Sequence, residues 1–248
     1  MVPGYTGSKE DFVPVLDPLR HRGFRAVAVD LPGQYESAGP DDEDAYSVDS
    51  LGEVVAALVT NLSAGDAGVV LLGHSFGGLV TRAAVIGGAP VVGLISLCSG
   101  SGALTYGARV EALAVGAPLL REQGVAAAWS LRAATTDTLV GVESPELTAF
   151  RHQRFLATSA ASLLGMGTAL TTEPDRTSEL HSSLAGRPVA VLTGEHDDAW
   201  TPASQADMAH RLGVEQVLIP DSAHSPAVEN PDYLVDVLAG LMDTWTGR

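Results

Sequence analysis

The sequence predicts an α/β fold in which a mostly parallel sheet carries helices on both faces and is interrupted by a helical insertion. Three observations carry this expectation. Short apolar runs bounded by Gly and Pro alternate with amphipathic stretches of helical period, as parallel strands joined by crossover helices require. One such run, at 69–72, stops at Gly73-His74-Ser75-Phe76-Gly77, and a helix-like pattern of Leu79, Val80, Ala83 and Ala84 follows at once. Between about 101 and 184 no strand pattern is visible, and only helical spacing recurs.

Taken in order, residues 8–22 read as a helix, with Ser8 as N-cap, Asp11 three places on, and Phe12, Val15, Leu16 and Leu19 on one face before Gly23. Residues 24–31 read as a strand closed by Pro32-Gly33. A second helix spans 48–62, with Leu51, Val54, Val55, Leu58 and Leu62 aligned. The run at 69–72 is the next strand, and a third helix extends to about Ile86. Further strands are expected at 90–97, 188–193 and 215–219, with a helix at 202–212 between the last two. Asn230 as cap and Pro231 in the first turn start a terminal helix carrying Leu234, Val237, Leu238, Leu241 and Trp245. The division is therefore a core of 1–100 and 185–248, and an insertion of 101–184 with helices at 108–120, 125–134 and 147–164. Placed at the C-terminal edge of a parallel sheet, such an insertion sits over the ligand crevice as a cap. Phe150, Phe155, Leu156 and Met166 would face the pocket or the core.

Composition narrows the function classes. The chain has 248 residues, 46% of them hydrophobic, enough for one large domain with an ample core. Thirty acidic against 14 basic residues give a net charge of −16, which repels phosphate backbones and anionic membranes; neither nucleic acid nor membrane is an expected partner. No apolar run reaches the roughly 18 residues of a membrane helix, and the first residues lack the basic and apolar regions of a secretory signal. Cys98, the single cysteine, excludes an internal disulfide and is expected to be buried and inert. Together these point to the cytoplasm. Asp41-Asp42-Glu43-Asp44 reads as a solvated loop, because contiguous acids are not spaced as ligands. A metal at His196, Asp197 and Asp198 has no further ligand at suitable spacing, and no cofactor motif survives inspection; the expectation is neither metal nor cofactor.

The chemistry resides in three loops. A serine on a sharp strand-to-helix turn needs small neighbours two positions either side, which Gly73 and Gly77 supply. Its hydroxyl is a poor nucleophile until a histidine takes its proton, and the histidine needs a carboxylate to fix its tautomer. The strand at 188–193 ends in Gly194-Glu195-His196-Asp197-Asp198, and the strand at 215–219 runs into Asp221-Ser222-Ala223-His224-Ser225-Pro226. Among seven histidines only His224 lies after the last strand and before the terminal helix.

These motifs, with the Pro3-Gly4-Tyr5 loop and the Asp30-Leu31-Pro32-Gly33 turn, resemble those of α/β-hydrolases of the compact, capped bacterial kind over nearly the whole chain. The resemblance implies Ser75 as nucleophile, His224 as general base and acid, and Asp197 as the orienting carboxylate. Asp198 is the rival acid, because Pro202 follows one residue later than is usual. The implied oxyanion hole is the backbone N–H of Phe76 and of Tyr5, where Pro3 replaces a frequent histidine. Family members carry strands ahead of this loop, whereas only Met1 and Val2 precede it here. A missing or truncated leading hairpin is therefore expected, with an exposed edge or central gap and a homodimer or low stability as consequences. The implied activity is a serine esterase, with a small-molecule substrate bearing an apolar acyl or ester group. Thioesters and lactones fall in the same class, and so does acyl transfer to another acceptor. Perhydrolase or haloperoxidase-type chemistry, carbon–carbon bond hydrolysis and a receptor-like binding module with an intact triad share the same motifs. The arginines of the insertion (Arg109, Arg121, Arg132, Arg151, Arg154) are expected in surface ion pairs.

Overall fold

The computed structural model describes residues 1–64, 68–136 and 144–247. Among these, four strands form one parallel sheet in the order β1 (Val69–His74), β2 (Val91–Leu97), β3 (Val189–Gly194) and β4 (Gln216–Ile219). The central residues of β1, β2 and β3 are buried on both sides in alternation. Leu71, Leu94 and Val191 join one core cluster, while Leu72, Ile95 and Leu192 join the other. The first cluster takes in α2 (Val48–Leu62), α3 (Phe76–Ile86), α8 (Thr177–Leu184) and α9 (Pro202–Arg211). The second takes in α1 (Val13–His21) and α11 (Pro231–Thr246). Burial on both faces is why these strands read as continuous apolar runs.

The helices begin where side chains can satisfy the first free N–H groups. Ser47, Thr201 and Asn230 each accept a bond from a first-turn amide of α2, α9 and α11. The stretch at 8–22 divides into a 3-10 turn, Lys9–Phe12, and α1; Ser8 and Asp11 form the capping box of the turn.

The expected strand at 24–31 is not part of the sheet. Its neighbour is the segment at Met1 and Val2. Val2 makes a parallel bridge to Gly73, and on its other side Met1 exchanges main-chain bonds with Val27 and Val29. The bonds of Met1 to Val27 and Val29 do not extend into a ladder. Residues 24–31 carry no strand.

Between β2 and β3 lie α4 (Ala108–Gln123), α5 (Val125–Thr136), α6 (Pro145–Ala157), α7 (Ala160–Thr172) and α8. The single helix expected over 147–164 is two helices meeting at 98°. Thr158 is extended, and the Ser159 hydroxyl accepts the Ser162 N–H to open α7. Leu120, Ala128, Phe155, Leu163 and Leu164 from α4 to α7 share a small core of their own. Helix α8 packs instead against α3 and α9. Among the described residues no single helix is long and apolar enough to cross a membrane.

Candidate active site

The four strands deliver their C-terminal ends to one edge. Beyond β1 the chain turns into α3 at Ser75, whose φ of 55° and ψ of −123° are costly for a residue with a side chain. The turn is tight enough that a Cβ on Gly73 would strike Gly77 and Thr81, and one on Gly77 would strike the Val2 and Pro3 carbonyls. The two glycines read from the pentapeptide are therefore required by contact.

Asp197, after β3, and His224, after β4, converge on that serine. His224 Nε2 lies 2.9 Å from Ser75 Oγ, and its Nδ1 lies 2.8 Å from Asp197 Oδ1. The Asp197 side chain is fully enclosed and the imidazole is 12% exposed. Asp197 accepts two further hydrogen bonds: the Ala199 N–H on Oδ1 at 2.9 Å, and the Gln205 amide on Oδ2 at 2.8 Å, itself anchored to the Trp200 carbonyl. Burial alone would raise its pKa, but the hydrogen bond and charge of His224 more than reverse this, and the carboxyl titrates below its ordinary value. Asp198 points away, exposed, and pairs with Arg109 at 2.7 Å. Adjacent in sequence, the two aspartates occupy opposite environments.

The Pro3–Tyr5 loop runs against the serine. A Cβ on Gly4 would stand 3.0 Å from Ser75 Cβ and 3.4 Å from its Oγ. Gln34, buried, holds the loop there by donating to the Gly4 carbonyl at 2.7 Å while accepting the Leu31 N–H at 3.0 Å. The Tyr5 hydroxyl donates to the Leu163 carbonyl of α7 at 2.8 Å, and burial pushes the phenol up to about 12. The Tyr5 ring thus packs between the loop and α7. Of the arginines, Arg109 and Arg121 form surface pairs, with Asp198 and Glu43. Arg154 departs from expectation: it is buried and bonds to Asp11 at 2.5 Å.

The sequence reading missed four residues that touch this site. Gln34 and Gln205 hold the loop and the acid. His74, next to the serine, meets the main-chain oxygen of His224 at 2.6 Å, and Glu229 accepts the N–H groups of Ala223 and Ser225 at 2.8 and 3.0 Å. Only His74 lay within a recognisable motif; the others bond across the fold and leave no local pattern. Cys98 is buried as expected, and burial raises its thiol pKa. Its sulfur lies with Asp197 and His224 within 4.8 Å, a grouping that could accommodate a metal only by breaking the Asp197–His224 bond.

A model of the alpha/beta hydrolase family matches residues 1–237. The chain belongs to that family. Among solved structures, this hydrolase resembles a thermophilic esterase from Thermogutta terrifontis at 22% identity and a TM-score of 0.81, covering 98% of this chain and 88% of that one. An esterase from Exiguobacterium antarcticum gives 18%, 0.81, 98% and 91% in the same terms. The enol-lactonase from Burkholderia xenovorans LB400 gives 20%, 0.75, 97% and 90%. At such identities the likeness concerns the fold of the hydrolase. No curated protein sequence matches this chain.

Proposed function

We propose that this member of the family is a serine hydrolase that cleaves a small or medium-sized ester, thioester or lactone through an acyl-enzyme on Ser75. The observation that carries the reading is the unbroken hydrogen-bonded line from Ser75 through His224 to Asp197. In this scheme Oγ attacks the carbonyl carbon as His224 Nε2 takes its proton, and Asp197 stabilises the imidazolium. The N–H groups of Tyr5 and Phe76 receive the developing oxyanion, a contribution of ~10²–10³ in rate per donor. His224 then returns the proton to the leaving group, and finally activates the water that releases the acyl group.

Ser75→Ala should abolish turnover of a short p-nitrophenyl ester, measured by steady-state absorbance against the parent. Unchanged turnover refutes the scheme. Covalent labelling of Ser75 by a fluorophosphonate without any steady-state turnover would mark a binding module instead. Helices α4 to α7 are the proposed cap over this site.

A further inference from the structure

The imidazole of His224 can work only if its ring plane is fixed, yet the loop that carries it has no regular structure. Asp221 has a φ of 52°, and Ser225 takes an irregular conformation ahead of a four-residue helix, α10 (Pro226–Glu229). Among the described residues no strand backbone bonds to residues 223–225. Side chains do so instead. The His74 Nε2–H donates to the His224 carbonyl at 2.6 Å, and one Glu229 carboxylate oxygen accepts the N–H of Ser225 at 3.0 Å and of Ala223 at 2.8 Å. The His224 carbonyl and the Ser225 N–H are the two poles of a single peptide plane. That plane is therefore held from both edges.

We propose that His74 and Glu229 are positioning residues that fix the His224 imidazole by gripping the His224–Ser225 peptide from opposite edges. The inference rests on the reading of His224 as general base. The hydrogen bond requires a proton on His74 Nε2, because the carbonyl can only accept. A neutral His74 in that tautomer also suits its place: its ring centroid is 5.1 Å from that of His224, where a second positive charge would oppose formation of the imidazolium. Burial and the charge of His224, in that order, push the His74 pKa down to about 4, which keeps it neutral. The ring rests beneath the oxyanion loop, since a Cβ on Gly4 would stand 3.4 Å from its Nδ1. Glu229, on the surface side, is an acceptor of two N–H groups and needs only its oxygen to do this.

The test is a comparison of His74→Leu and Glu229→Ala with His74→Gln and Glu229→Gln. Gln keeps an N–H at position 74 and an acceptor oxygen at 229. Leu and Ala variants should lose ~10–100-fold in kcat, with KM within about threefold, as a misplaced base does. The Gln variants should return to within about threefold. The double Leu/Ala variant should lose less than the product of the singles, because both grip one peptide. A Gln variant as impaired as its Leu or Ala counterpart, or a loss confined to KM, overturns the proposal. If His74→Leu fails to fold, the Glu229 pair decides alone. The downfield proton NMR signal of the His224 Nδ1–H separates this from the catalytic reading. It should broaden or shift in His74→Leu and Glu229→Ala and return in the Gln variants, whether or not Ser75→Ala retains turnover. An unchanged signal refutes the grip.

Discussion

Asp197 and Asp198 differ by one position, and the difference decides what each can do. Asp197→Asn would remove the charge facing Nδ1 and leave an amide that can hold the ring in the wrong tautomer. Its kcat should fall ~10²–10⁴-fold in steady-state assays. Asp198→Asn breaks only an exposed pair with Arg109, so turnover should hold and stability change by under ~1 kcal/mol. The family resemblance implied Asp197 and left Asp198 as its rival. Ser75 and His224 were legible because the elbow and the loop after the last strand constrain which residues fit. Gln34, Gln205 and Glu229 were not, because each bonds to groups whose nearness exists only after folding.

Elements were legible where a local pattern was sufficient to define them. Helix α2, with its Ser47 cap, and α11, with Asn230 and Pro231, start where capping chemistry places them. Residues 24–31 show the opposite case, since a strand depends on a neighbour, and the main-chain bonds of Val27 and Val29 with Met1 do not extend into a ladder. The division of 147–164 at Ser159 is a third case. Apolar residues continue on both sides of it, so periodicity alone ran through the break. The structure assigns the break to the Ser159 hydroxyl, which opens α7, and to the Ser159 N–H, which donates to the Gly33 carbonyl at 2.8 Å. Ser159→Ala removes the cap and leaves the second bond. It should cost about 1 kcal/mol, which for a chain of this length is a melting temperature lower by roughly 2–4 °C in a thermal unfolding scan. An unchanged melting temperature would mean that the main-chain bond suffices to hold the corner.

At the scale of the whole molecule, the partly buried imidazole of His74 sets a pH dependence for folding. Its pKa falls from 6.5 to about 4, chiefly through burial and then through the charge of His224, with the Asp11 and Asp197 carboxylates opposing the fall. The sign follows from which state binds the proton first. As pH drops below 6.5 the unfolded chain takes up a proton that the folded chain refuses until about pH 4. Stability is therefore complete above 6.5 and is lost progressively across that window. Asp197 acts lower down: its depressed pKa contributes stability above the ordinary aspartate range, which disappears as pH falls through the folded value. The net charge of −16 shrinks over the same acidic range, so relief of self-repulsion works against both losses. A comparison with His74→Gln cancels the terms shared by both proteins, since glutamine does not titrate. Between about pH 7.5 and about pH 4.5 the parent should lose about 2–3 kcal/mol more unfolding free energy than His74→Gln, read from urea midpoints at the two pH values. Equal losses would place the His74 proton equilibrium near that of a solvated histidine. The neutral donor that grips the His224 peptide would then lack the environment that keeps it neutral.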